Sequence, residues 1–85
     1  MLPIRELLNR IRWDREFAKA SFEIAYLDRL ENRIIHVSLA SVRFQSGNSF
    51  SFQLDDESGE PVSIPLHRIR EVYRDGVSIW RRPDR

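Results

Sequence analysis

Hydrophobic positions recur along this chain with two different periods, and the switch between them marks its elements. Ile4, Leu7, Leu8 and Ile11 fall at i, i+3, i+4 and i+7, one stripe of a helix over residues 3–12, with Pro3 suited to a first helical position. A helix under three turns long is not stable alone, so its stripe has to dock on a sheet. From residue 21 to 28 the period becomes two: Phe22, Ile24 and Tyr26 alternate with Glu23, Ala25 and Leu27, which predicts a strand. The polar residues 28–32 predict a turn, and residues 33–38 a second strand with Ile35 and Val37 on one side and Ile34 and His36 on the other. Residues 15–20 read as a connection with room for one helical turn. Ser46-Gly47-Asn48 reads as a turn, and Phe50, Phe52 and Leu54 as the buried side of a one-sided strand. Residues 55–61 read as a solvated acidic loop.

The stretch from Ile64 to Arg82 carries the strongest local signals. Asp75-Gly76 lies between two runs rich in β-branched and aromatic residues, which predicts a hairpin with strands at about 70–74 and 77–82, because a two-residue turn needs positive φ. Regular pairing from that turn sets Arg74 opposite Val77, Tyr73 opposite Ser78, Val72 opposite Ile79 and Glu71 opposite Trp80. One face then holds Val72, Val77 and Ile79 as core, and the other holds Tyr73 and Trp80 beside Arg82. Before the hairpin, Leu66, Ile69 and Val72 are spaced by three, so a single tight turn buries Leu66 and Ile69 and turns His67, Arg68 and Arg70 outward. Residues 37–43 line up with residues 64–70 as a faint internal repeat, each a strand end followed by such a turn. One helix and about five strands define an α+β chain: a small antiparallel β-barrel, or a strongly twisted five-stranded sheet, capped by the N-terminal helix.

Eighty-five residues suit one domain spanning 1–85, and 41% hydrophobic with 32% charged residues is ordinary for a soluble chain. No apolar run approaches the roughly 20 residues of a membrane helix, no signal peptide pattern opens the chain, and zero cysteines remove disulfides and thiol chemistry. A cytoplasmic protein without membrane contact is expected. Net charge is only +1, but 13 of the 14 basic residues are arginine, and residues 66–85 hold six arginines against three acids. Arginine's planar fork pairs with phosphate in bidentate fashion, although a GC-rich genome that writes arginine for lysine explains the bias equally well.

Each candidate has a plainer reading beside it. His67 with Arg68 offers a phosphate a donor and a fork, or is ordinary surface. Tyr73 and Trp80 are stacking platforms for bases or a second layer of core, and Trp13 reads as core. Asp28-Arg29, at a strand end, is an internal ion pair or a ligand-facing one. His36-Val37-Ser38 has the His-x-Ser form of two-histidine phosphoesterases, but His67 is followed by Arg68 and Ile69, so the required second copy fails and no catalytic residue is assigned. Two histidines 31 residues apart give no metal-ligand spacing, and the three separate glycines form no phosphate-cradling loop. Neither metal nor cofactor is expected.

LNRIRWD at residues 8–14, YLDR at 26–29 and IPLHRIREVYRDGVSIWRR at 64–82 together resemble the MJ1316-type RNA cyclic group end recognition domain, also catalogued as DUF504 or UPF0248 and called an RNA repair domain. The resemblance covers nearly the whole chain. It implies a non-catalytic module that recognises RNA ends carrying a 2′,3′-cyclic phosphate in RNA repair or processing, with an RNA ligase or phosphoesterase as a candidate partner. Carried over by position, the motif residues are Trp13, Asp14, Asp28, Arg29, His67, Arg68, Ile69, Gly76, Trp80 and Arg82, of which Ile69 and Gly76 suit structural roles. Leu66 departs from the family, in which an aromatic commonly precedes the His-Arg pair. The RNA-contacting set expected from the two lines together is His67, Arg68, Arg29, Asp28, Trp80, Arg82 and Tyr73, and they meet on Arg68, Arg29, His67 and Trp80. An adaptor that docks an RNA-processing enzyme, or a minimal phosphoesterase, is the alternative.

Overall fold

The structure, a computed structural model, describes residues 3–44 and 50–83. In chain order it contains α1 (Ile4–Trp13), a 3-10 turn (Phe17–Lys19), β1 (Phe22–Asp28), β2 (Arg33–Ser38), a second turn (Leu39–Ser41), β3 (Ser51–Asp55), β4 (Pro61–Pro65), a third turn (Leu66–Arg68), β5 (Ile69–Arg74) and β6 (Val77–Arg81). Four strands form an antiparallel sheet in the order β2-β1-β5-β6, and β3 pairs with β4 as a separate two-stranded sheet. The α+β class and the N-terminal helix are as expected. The arrangement is two sheets, and neither a closed barrel nor a single five-stranded sheet is formed among the described residues. The turn expected at Ser46-Gly47-Asn48 lies outside them.

The extra strand is β4, of which sequence pattern marked only the end at Ile64-Pro65 and left Pro61 in the acidic loop. Pro61 and Pro65 obscure it, since proline donates no ladder hydrogen bond, yet both sit at the ends of the strand, opposite Asp55 and Ser51, where that loss is tolerated. Only the turn remains of the acidic loop: Asp56 Oδ1 accepts from Ser58 N at 2.8 Å and from Glu60 N at 2.9 Å.

Strand registers explain the core. Val37, Ile24, Val72 and Trp80 are successive partners across all four strands, and Ile35, Tyr26 and Ile69 form the next row. Both rows face α1, which buries Leu7, Leu8 and Ile11. Phe52 of β3 meets the Tyr26 ring edge-on with centroids 5.8 Å apart, so the small sheet closes the same core. Burial raises the Tyr26 pKa, chiefly by desolvating the phenolate.

At the hairpin, Asp75 and Gly76 both have positive φ, 50° and 84°, as a two-residue primed turn requires. Arg74 faces Val77 and Tyr73 faces Ser78 as expected, but Val72 then pairs with Trp80 and Glu71 with Arg81. The expected pairing of Val72 with Ile79 and Glu71 with Trp80 is therefore corrected: Ile79 is the extra residue of a β-bulge, which exchanges the faces of the rest of β6. The outcome favours burial of the larger apolar group. Trp80 is 6% exposed in the core, whereas Val77 and Ile79, expected inside, are 64% and 38% exposed. Two further aromatics expected in the core, Trp13 and Phe50, are 75% and 70% exposed.

These positions set the relative costs of truncation. Trp80→Ala is expected to destabilise the fold by about 3–5 kcal/mol, against about 0.5 kcal/mol or less for Val77→Ala. Chemical unfolding monitored by circular dichroism measures both, and similar losses at the two positions would contradict the bulged register.

Candidate nucleic-acid interface

The third turn positions the two residues with most chemical potential. Ile69 N donates to Leu66 O, closing one 3-10 turn that buries Leu66 and Ile69 and leaves His67 exposed and Arg68 half-buried. The second turn is built alike: Val42 N donates to Leu39 O at 3.1 Å, and Val42 is buried. The faint sequence repeat is thus a repeat of structure. Ala40 and Ser41 occupy in the first copy the positions of His67 and Arg68 in the second, so the turn forms without a histidine or an arginine.

The third turn is also held from three directions. Leu66 N donates to Phe50 O at 2.8 Å, tying it to the start of β3. Arg82 reaches back from the end of β6, its Nε donating to Ile69 O at 2.9 Å and its Nη2 to Leu66 O at 3.3 Å. Arg70 Nη1 donates to His67 O at 2.9 Å. Burial lowers the Arg82 pKa, with a smaller contribution from Arg70, and its guanidinium also lies 5.0 Å from the Trp80 ring centroid. Arg82 therefore acts on the turn's carbonyls.

Arg68 differs from these arginines. Its Nε is sealed from solvent and has no hydrogen-bond partner, an unsatisfied charged donor of a kind that native interiors rarely keep. The β1 end lies nearby by register. Tyr26 pairs with Ile69, so two residues further along β1 and two residues back along the antiparallel chain bring Asp28 and His67 to the same end of the sheet, where β1 contacts the turn. Asp28 Oδ1 accepts from Leu30 N at 2.9 Å and Glu31 N at 3.4 Å, ordering the turn that displays Arg29 as an exposed side chain.

Tyr73 and Trp80 do not join this group. Trp80 is core, and no base can stack on it without opening that core. Tyr73 lies on the outer sheet face in a polar cluster that sequence pattern did not reveal, because cross-strand register assembles it. Its hydroxyl donates to Glu71 Oε1 at 2.9 Å and its ring lies 5.8 Å from that of His36, whose Nδ1 is 2.7 Å from Glu23 Oε2. Asp14 Oδ1 caps the turn after α1, accepting from Glu16 N and Phe17 N at 3.1 Å each. A separate open depression beside the second turn contains the Arg43–Asp55 ion pair, 2.8 Å long. Among the described residues no cluster of three or more His, Asp or Glu is placed to hold a metal, and no helix is long and apolar enough to cross a membrane.

Fold and site define a small α+β module that presents a histidine and an underpaired arginine on a rigid turn. The chain belongs to the MJ1316 family, described as the RNA cyclic group end recognition domain, which it matches over residues 1–82. A UPF0248 protein of Saccharolobus islandicus strain L.S.2.15 is 30% identical over 84 residues, 95% of this chain and 100% of the relative. A UPF0248 protein of Metallosphaera sedula is 28% identical over 81 residues, covering 95% of this chain and 94% of the relative. No solved structure matches the chain.

The outer-face cluster makes a pH prediction. Hydrogen bonds from the Ser78 and Tyr73 hydroxyls hold the Glu71 carboxyl below its ordinary pKa. A depressed folded-state value means that this carboxylate's contribution to stability is complete above its ordinary pKa and is lost as pH falls through the lowered one. Carboxyl-detected NMR titration should show the low midpoint and its rise in Tyr73→Phe; a midpoint at or above the ordinary value in the native protein would contradict the geometry.

Proposed function

We propose that this chain is a non-catalytic RNA-binding module of the cytoplasm that recognises RNA ends bearing a 2′,3′-cyclic phosphate during RNA repair or processing. The observation that carries the reading is the difference between its two equivalent turns. Both pack a leucine and a β-branched residue against the core in the same hydrogen-bonded geometry, yet only one adds an exposed histidine followed by an arginine whose Nε lacks a partner. Nothing in the turn's own folding asks for either side chain.

A cyclic phosphate is a compact monoanion on a ribose, suited to charge-assisted hydrogen bonds from a guanidinium and an imidazole. Arg68 supplies the fork, His67 a donor and Arg29 a second cation from the neighbouring turn. Arg82 and Asp28 act as positioning residues, one holding the carbonyls under the His-Arg pair and the other the backbone beneath Arg29. Two-histidine phosphoesterase chemistry draws no support from the arrangement. His36 is engaged by Glu23 on the outer face of β2, while His67 belongs to the turn before β5, and β1 separates those strands by about 10 Å.

A second reading, an adaptor for an RNA ligase or phosphoesterase, is favoured by Leu30 and Ile34, 97% and 44% exposed at the β1–β2 end. Salt separates the two readings, because phosphate contacts weaken as salt rises and an apolar docking face does not.

Matched short RNAs ending in 2′,3′-cyclic phosphate, 3′-phosphate or 3′-hydroxyl provide the test. The cyclic end is expected to bind tightest, and Arg68→Ala to reduce that binding about tenfold to a hundredfold, the range of a lost charge-assisted hydrogen bond. Arg68→Lys should recover only part, lacking the fork. Equal binding of all three ends would overturn the proposal.

A further inference from the structure

The burial of Trp80 leaves the base next to a bound phosphate without its expected stacking partner, while two aromatics expected inside stand outside. Phe50 is 70% exposed, and its carbonyl accepts the hydrogen bond from Leu66 N, so its backbone adjoins the His67–Arg68 turn. The Arg5 guanidinium of α1 lies 5.1 Å from the Phe50 ring centroid. Seven residues later on the same flank of the helix, Arg12 stands 5.5 Å from the centroid of Trp13, which is 75% exposed, and 5.8 Å from that of Phe44. Seven residues advance the helix about 10 Å, the span of about three stacked bases.

We infer that this flank of α1, with Phe50 and Trp13 as stacking platforms and Arg5 and Arg12 as backbone contacts, is the track for the single-stranded RNA that leads to the bound end. The inference rests on the preceding reading for its ligand class. Charge complementarity favours a nucleic acid over a protein partner: α1 carries Arg5, Arg10 and Arg12 against the single acid Glu6, and each of the two exposed rings has a guanidinium beside it. Bases stack on aromatics whatever their identity, and the guanidiniums that lie over one face of each ring follow the sugar-phosphate chain, so the track is sequence-tolerant. Phe50, beside the turn, takes the terminal base. Trp13, two helical turns further on, takes a base toward the 5′ side.

The test uses the full chain with an unstructured dinucleotide and hexanucleotide, each ending in 2′,3′-cyclic phosphate or in 3′-hydroxyl. The hexanucleotide is expected to bind more tightly than the dinucleotide. Phe50→Ala should weaken both about tenfold, while Trp13→Ala should weaken only the hexanucleotide, by a similar factor. Arg5→Gln and Arg12→Gln should each make the dependence of log affinity on log salt shallower by about 0.7. All four residues are exposed, and circular dichroism verifies that the variants fold. Length-dependent binding that fails in Trp13→Ala and Phe50→Ala without any preference for the cyclic end would support the track while removing the end-recognition reading. Equal binding of the two lengths with the cyclic preference intact would overturn the track alone. Hexanucleotide binding unchanged in both aromatic variants, or no RNA binding at all, would also overturn it.

Discussion

Closure of the Leu66–Arg68 turn is the constraint on which the rest of the arrangement depends. It joins the two sheets, and its backbone is held by β3 through Phe50, by the end of β6 through Arg82, and by its own bond from Ile69 to Leu66. Leu66 and Ile69 enter the common core with Tyr26 and Phe52, so moving the turn would require unpacking apolar contacts from both sheets. A small chain with a limited core thereby obtains one rigid surface position. His67 and Arg68 occupy it.

Rigidity matters here because the proposed ligand is small. A guanidinium and an imidazole on a mobile loop would lose side-chain and backbone freedom on binding a single phosphate, whereas groups on a held turn have given up much of that freedom during folding. Arg82 illustrates the division of labour among the arginines. Its donors are spent on Leu66 and Ile69 carbonyls, while the Arg68 Nε has no such partner. Residues of one type, in one short stretch of sequence, thus spend their donors on the fold in one case and leave one unsatisfied in the other.

Periodicity made much of the frame legible. The helical stripe of Ile4, Leu7, Leu8 and Ile11, the alternation in β1 and β2, the Asp75-Gly76 turn and the burial of Leu66 and Ile69 all follow from local rules. The bulge at Ile79 did not, because alternation carries no mark of the one residue that leaves the ladder, and it reversed the faces of Trp80 and Ile79. The prolines bounding β4 suppressed its strand signal. Trp13 did carry a usable signal: it lies about half a turn from the centre of the apolar stripe, so helical phase points it to solvent despite its hydrophobicity. The polar cluster of Glu23, His36, Glu71 and Tyr73 depends on register across three strands and could not be read from any one of them.

The proposed function requires that the RNA end be held at the Leu66–Arg68 turn. NMR observation of the arginine Nε–H and histidine ring resonances during titration with a dinucleotide ending in 2′,3′-cyclic phosphate tests it most directly. Arg68 Nε–H and the His67 ring are expected to shift first and most, with the Trp80 indole and the His36 ring nearly unmoved. Perturbation centred on His36 and Tyr73, with Arg68 and His67 unchanged at saturation, would place the ligand on the outer sheet face and contradict the claim.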